Sequence, residues 1–182
     1  QMVQLNAIQT VSNCAASQFG SGSSYDAAFI DALVVVLSPY SVRPSNIIIT
    51  SVTDLAVASS SSSSMRRLQT NPGVTIEYTM KVNYVLQMGL TSEKEAYNAL
   101  NKFLVDAVQN GGFDTALHNT AAYVQPPAVD LETATSSSVT TTYVPSSTSS
   151  SSNGGGVKSN VGAAVGGVLG AIAILGLGYF IY

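Results

Sequence analysis

The sequence has few of the side chains that perform catalysis or bind metals. Its 182 residues include one cysteine, one histidine and no tryptophan. A zinc cluster or a disulfide framework needs more cysteine and histidine than this, and one of each leaves little material for a nucleophilic Cys–His pair. We therefore expect a protein that is not an enzyme, with no catalytic residues, no cofactor and no metal site.

Charge is also scarce, because charged residues make up 9% of the chain, against roughly 25% in typical soluble domains. Seven basic residues stand against ten acidic ones, for a net charge of −3. A nucleic-acid-binding protein needs a basic surface to neutralise phosphates, so nucleic acid is not an expected partner. The polarity comes instead from hydroxyl groups, with 26 Ser and 15 Thr.

The first 131 residues have the hydrophobic patterns of one folded domain. Apolar residues alternate with polar ones in the expected strands and recur at helical spacing between them. Ser23 or Ser24 can cap the first helix, and Ser92 with Glu95 forms a capping box before the second. In chain order we expect a strand over 3–11, a helix over 28–37, strands over 46–57 and 74–88, a helix over 96–108, a short helical turn over 113–117 and a last strand over 129–131.

This order predicts an α+β fold of the ferredoxin-like type. Two split βαβ units in the order β-α-β-β-α-β close into a four-stranded antiparallel sheet with both helices on one face. A small β-sandwich is the alternative, but it has no place for two capped amphipathic helices. Residues 74–88 alternate without a break, so one face of that strand should be buried and the other should face water or a partner.

Residues 132–160 have the composition of a stalk rather than a folded domain. Between Glu132 and Ser152, 15 of 21 residues are Ser or Thr, as in O-glycosylated stalks, although an undecorated flexible linker is the alternative. Such a segment cannot bury a core and should be extended. The candidate O-glycosylation sites are Thr133, Thr135, Ser136, Ser137, Ser138, Thr140, Thr141, Thr142, Ser146, Ser147 and Thr148.

Residues 161–182 form an apolar tail of 22 positions without a charge. As a helix it would rise about 33 Å, enough to cross the hydrocarbon core of a bilayer. Gly162, Gly166 and Gly170 recur at every fourth position, a spacing that lets helices pack closely. The tail is therefore expected to be a type I membrane anchor, a GPI-attachment signal or an assembly element that packs against neighbouring subunits.

The chain begins at Gln1 rather than Met, which suggests that a signal peptide has been removed or that the chain was cut from something longer. The expected location is outside the cell or on the extracellular face of the plasma membrane.

The element order, together with the stretch SSSSSSMRRL at residues 59–68, resembles a SEA domain. This ferredoxin-like extracellular module lies next to the membrane in O-glycosylated surface proteins, and the loop is similar to Ser-rich Arg-Arg-Leu loops of protist surface proteins. The resemblance covers residues 1–131. SEA modules often cleave themselves between the second and third strands at a Gly-Ser-Val-Val-Val turn. This chain lacks that motif, so self-cleavage is not expected.

Arg66 and Arg67 lie in the same expected hairpin. Adjacent arginines on an exposed loop are a recognition signal for dibasic processing proteases, and the alternative is a solvated flank of the loop. A cut at this pair would leave two chains held together by the sheet.

Two functions fit these patterns. The first is a structural or adhesive cell-surface glycoprotein that self-associates into a filament through an open sheet face or edge and its C-terminal tail. The alternative is a membrane-tethered receptor or mechanosensing ectodomain processed within residues 59–68. The expected partners are other copies of the chain, the membrane and covalent O-glycans.

Overall fold

The structure, a computed structural model, describes residues 1–56 and 73–146. Several predictions lie outside these residues: the loop at 59–68 with Arg66 and Arg67, the candidate glycosylation sites Ser147 and Thr148, and the tail with Gly162, Gly166 and Gly170. Within the described residues the elements are β1 (Met2–Val11), α1 (Ser24–Val36), β2 (Ile47–Asp54), β3 (Val74–Asn83), α2 (Tyr84–Met88), α3 (Glu93–Gln109), α4 (Gly112–Tyr123) and β4 (Ser136–Val144).

The four strands form one antiparallel sheet in the order β2-β3-β1-β4. β1 pairs with β3 along its whole length, from Met2 opposite Asn83 to Val11 opposite Val74. The remaining strands, β2 and β4, are the two edges of the sheet as far as the structure describes it. The predicted α+β class and four-stranded antiparallel sheet are therefore confirmed.

The core lies on one face of the sheet, beneath the helices. Phe29 of α1 packs between Tyr78 of β3 and Phe113 of α4, with its ring centroid 5.6 Å from each of theirs. The alternation predicted for the central strands is confirmed, because every second residue is buried against the helices. These residues are Val3, Leu5, Ala7, Gln9 and Val11 of β1, with Val74, Ile76, Tyr78, Met80 and Val82 of β3.

The two main helices begin where their caps predict. The Ser23 hydroxyl accepts a hydrogen bond from the Asp26 amide at 3.1 Å, and α1 starts at the next residue. The Ser92 hydroxyl accepts from the Glu95 amide at 3.4 Å and precedes α3 in the same way. Both side chains satisfy amides that a helix start leaves without intrahelical partners.

The strand predicted over 74–88 is wrong after Asn83, where α2 begins. The Asn83 side chain accepts from the Leu86 amide at 3.1 Å, and Gly89 ends the short helix with φ +66°. Leu86, which the alternation placed on the buried face, is 82% exposed. Five residues are too few to distinguish the alternation of a strand from the spacing of a helix. The capping asparagine therefore determines that these residues form a helix.

The end of the domain also differs from the prediction. Val129 and Leu131 lie in a 3-10 turn, and the last strand is Ser136–Val144, inside the segment predicted to be a stalk. The compact unit that holds the sheet therefore continues past the predicted boundary at residue 131 and includes β4. The helical turn expected over 113–117 is likewise longer and forms α4.

Among the elements in residues 1–56 and 73–146, no helix combines the length and apolar character that crossing a bilayer requires.

Candidate interaction surface

The sheet face opposite the helices, here called the open face, is weakly charged. Its hydroxyl and amide side chains bond to one another in places, as where the Thr79 hydroxyl donates to the Asn6 side chain at 3.0 Å. Ile8 and Ile48 are 47% and 56% exposed among these polar groups. The residues of β1 and β3 on this face are Met2, Gln4, Asn6, Ile8, Thr10, Thr75, Glu77, Thr79, Lys81 and Asn83. Hydroxyl, amide and apolar side chains therefore make up most of the open face, with Glu77 and Lys81 as the charged residues of β1 and β3 on it.

The β4 edge is covered by α3. The Tyr97 hydroxyl lies 3.2 Å from the backbone carbonyl oxygen of Thr141 and can donate to it, and the Thr141 hydroxyl donates to the Asn101 side chain at 2.6 Å. The rings of Tyr97 and Tyr143 pack against each other with centroids 5.2 Å apart and planes tilted by 50°. Beyond the strand, the Ser146 amide donates to the Glu93 carboxylate at 3.0 Å. The helix therefore protects this edge with side chains and hydrogen bonds.

A buried polar network joins β4 to the interior of the sheet. Gln9 of β1 is 0% exposed. Its amide nitrogen donates to the Ser136 hydroxyl at 2.8 Å, and its amide oxygen accepts from the Tyr78 hydroxyl at 3.2 Å. The Ser136 amide donates in turn to Asp114 of α4 at 2.7 Å. β4 thus belongs to the folded domain although its sequence is rich in hydroxyl residues, because these bonds replace apolar burial.

The candidate glycosylation residues in the described part of the chain differ in accessibility. Ser136 is buried, and Thr141 is half-buried with its hydroxyl bonded to Asn101. The other candidates in the described part of the chain are exposed: Thr133, Thr135, Ser137, Ser138, Thr140, Thr142 and Ser146.

The β2 edge has no such cover in the described part of the chain. β2 pairs with β3 on one side, with an irregular step between Ile49 and Ser51, and the Thr50 hydroxyl also bonds to that side by donating to the Glu77 carbonyl at 3.0 Å. From Ile47 to Thr53 the strand has no charged residue and no proline. Edge strands of this kind, with unpaired backbone groups, are templates for pairing with another chain.

A cleft of about 610 Å³ runs between the β2 edge and α1. Its lining is partly apolar. Apolar side chains, which include Phe19 and Ile30 on the α1 side and Ile49 and Val52 on the strand, lie beside polar ones such as Ser21, Ser23, Thr50 and Ser51. Asp26 lies in the same lining, accepts from the Gly20 amide at 3.3 Å, and has its pKa raised by partial burial. An edge strand with one unpaired side and a partly apolar cleft beside it can bind an extended segment by strand addition.

The cysteine and histidine have structural positions. Cys14 is buried, and burial raises the pKa of its thiol to about 12, with further contributions from the charges of Asp130 and Asp54. It is therefore a protonated thiol and a poor nucleophile. The His118 ring nitrogen Nε2 lies 2.6 Å from the Ala134 carbonyl oxygen and joins α4 to the segment before β4.

Metal ligands do not converge in the described residues, where no group of three His, Cys, Asp or Glu side chains could hold an ion.

Sequence reasoning found the open face through the alternation in β3 but did not find the cleft. The local signal for it was the uncharged, β-branched run from Ile47 to Thr53. That this strand is an edge beside α1 depends on the strand order, which only the folded chain reveals. The chain matches no protein-family model, no curated protein and no solved structure.

Proposed function

We propose that this chain is a non-enzymatic structural or adhesive protein of the cell surface that self-associates. The observation that carries the proposal is the sheet, which helices cover on one face. Its β2 edge pairs with no further strand within the described residues and lies beside a partly apolar cleft. Surfaces of this kind are used for contact with other chains.

We also propose that the fold is the ferredoxin-like arrangement of a SEA-like module. The order β2-β3-β1-β4 fits two interleaved βαβ units, with α1 in the first crossover and α3 and α4 in the second. The resemblance to SEA modules supports a position outside the cell. Glycans on the exposed hydroxyl residues and on Ser147 and Thr148 fit the same location, and the tail over 161–182 would anchor the chain or join it to its neighbours.

The test is electron microscopy of native material released from cells without detergent, combined with the intact mass. We expect filaments or defined oligomers, a chain that keeps its tail, and extra mass in hexose-like steps. Monomers that need detergent, or chains that end near residues 152–154, would contradict self-assembly through the tail. Monomers at all concentrations, with or without detergent, would contradict self-association altogether.

A second candidate is a membrane-tethered receptor or mechanosensing ectodomain processed at Arg66 or Arg67. It is favoured by the pairing of β2 with β3 from Ile47 opposite Met80 to Asp54 opposite Val74, on either side of the loop. A cut chain would therefore stay associated through the strands. Denaturing gels would then show two bands from material that migrates as one species under native conditions, and one band throughout would contradict this candidate.

A further inference from the structure

We infer that β2 of one copy pairs antiparallel with β2 of a second copy, so that two sheets join across a two-fold axis into one sheet of eight strands. The inference rests on the proposed self-association and names the surface that carries it. An isologous contact of this kind uses the same patch on both subunits, so the patch must complement itself.

The two edges of the sheet differ in what they offer a second copy. At β4 the Thr141 carbonyl is bonded to Tyr97, and the tilted rings of Tyr97 and Tyr143 pack against each other. A second chain would have to displace these groups before it could pair with β4. Within the described residues, no side chain has to be displaced before a second chain can pair with β2. A strand can therefore add at the β2 edge.

The charges around β2 complement each other in an antiparallel pair. Arg43 lies four residues before the strand and Asp54 is its last residue, with no charge between them. Both are exposed. Antiparallel pairing about a two-fold axis brings the Arg43 end of each copy against the Asp54 end of the other, so two attractive pairs form at once. A parallel pair would instead place like charges side by side, which is destabilising.

Both charged groups can meet a partner. In the described residues the Arg43 side chain has no hydrogen bond, and the ion pair found there joins Lys102 to Asp106. One Asp54 carboxylate oxygen accepts from the Ala16 amide at 2.6 Å. The other oxygen has no partner within the described residues and can accept from a guanidinium group of a second copy.

The cleft adds an apolar component to the same contact. Ile49 and Val52 are half-buried and lie on the helix side of the sheet, where they line the cleft. In the paired arrangement, the same two residues of the second copy extend along the cleft toward Phe19 and Ile30. Burial of apolar area in this way favours association.

Cross-linking of the full chain through single cysteines tests this pairing. Cys14 is buried with a pKa raised to about 12, so the unmodified chain serves as the unreactive control. We would compare Ile48→Cys on the β2 edge, Ile8→Cys on the open face of the central strand and Thr140→Cys on β4, each treated with a short bis-maleimide. Ile48 and Ile8 have similar exposures of 56% and 47%, so they are a matched pair.

We expect covalent dimers from Ile48→Cys at a yield about tenfold above that of the other two variants. Dimers from Ile8→Cys would indicate face-to-face packing, and dimers from Thr140→Cys would indicate pairing at β4; either pattern without dimers from Ile48→Cys overturns the inference. An assembled chain that cross-links at none of the three positions overturns it too, while the proposed self-association stands. A chain that does not assemble at all contradicts both.

The charge pairing is tested in the Ile48→Cys background with Arg43→Asp and Arg43→Lys. We expect Arg43→Asp to lower the dimer yield by about tenfold, since two symmetry-related pairs change from attraction to repulsion. Arg43→Lys keeps the charge and should retain the yield within about twofold. Arg43 is exposed, and thermal melts verify that both variants fold. Equal yields from the two variants would overturn the antiparallel arrangement.

Discussion

The two edges of the sheet differ in how far they are covered against pairing with another chain. At β4, α3 covers the strand with Tyr97 and anchors its continuation at Ser146 through Glu93. At β2, no described element lies outside the strand, and a partly apolar cleft of about 610 Å³ runs beside it. Natural proteins usually protect exposed strand edges with helices, loops, charges, proline or β-bulges, and of these the described part of β2 has only the irregular step between Ile49 and Ser51. We propose from this difference that β4 serves the stability of the domain, whereas β2 serves association.

This contrast gives separate expectations for the two regions. Changes around β4 should lower the free energy of unfolding and leave association largely intact. Changes on β2 should lower association and leave unfolding largely intact. Each of the following measurements tests one of these two expectations.

The largest effect on the free energy of unfolding is expected from Gln9→Leu, because Gln9 of β1 bonds to Ser136 of β4. The substitution leaves the buried hydroxyls of Tyr78 and Ser136 without the amide to which both bond. We expect a loss of about 2–4 kcal/mol in the free energy of unfolding, measured by urea denaturation, since each orphaned buried group costs about 1–3 kcal/mol.

Gln4→Leu is the matched control, because Gln4 lies on the open face of the same strand. Gln4→Leu should change the free energy of unfolding by no more than about 0.5 kcal/mol. Equal losses in the two variants would contradict a stabilising role for the buried network.

The next effect is the response of stability to alkaline pH. Cys14 keeps its proton in the folded chain to a pKa of about 12, against 9.0 as its ordinary value. Because the folded pKa is the higher one, this stabilisation is complete below pH 9 and is lost as pH rises from 9 toward 12. Between pH 8 and pH 10 the unmodified chain should lose about 1 kcal/mol more than Cys14→Ala does.

Thermal melts of both chains across this pH range measure the difference. Comparing each chain with its own value at pH 8 removes the constant cost of the cavity that alanine leaves. Parallel pH profiles would show that the thiol does not retain its proton in the folded state.

A smaller effect is expected where α3 covers the β4 edge. Tyr97→Phe removes the hydroxyl that bonds to Thr141 and keeps the ring that packs against Tyr143. We expect a loss of about 1 kcal/mol in the free energy of unfolding. Hydrogen exchange should also be faster for the amides of β4 than in the unmodified chain.

Tyr40→Phe is the control for this variant. Tyr40 also packs against an aromatic ring of α3, with its centroid 5.5 Å from that of Phe103, but its hydroxyl has no hydrogen bond within the described residues. Tyr40→Phe should leave the free energy of unfolding almost unchanged. The same loss from both variants would mean that the loss does not come from the Tyr97 hydrogen bond to the β4 edge, since both substitutions keep the ring.

The elements that follow local rules could be predicted from the sequence. Ser23 and Ser92 mark the starts of α1 and α3 because a cap acts on the amides of its own first turn. The alternation in β3 identified its buried face because one side of that strand packs against the helices. The prediction failed over 84–88, where alternating residues also suit one short helix and the Asn83 cap decides between the two.

β4 could not be predicted, because its stability depends on residues far away in the chain. Its core-facing Ser136 and Thr141 are polar and bond to Gln9 and Asn101, which lie 127 and 40 positions away. Composition alone therefore indicated a stalk. The cleft beside β2 escaped prediction for the same reason, since it exists only once the strand order places β2 at an edge beside α1.

The most direct test of the account is sedimentation velocity of the full chain over a range of concentrations, with Ile48→Lys compared to Ile8→Lys. Both isoleucines are exposed on the open face, but Ile48 lies on the edge strand and Ile8 on a central one. A lysine on an edge strand opposes pairing, so we predict that Ile48→Lys weakens association by about tenfold while Ile8→Lys and the unmodified chain associate alike. Equal association of all three chains would contradict the role of the β2 edge.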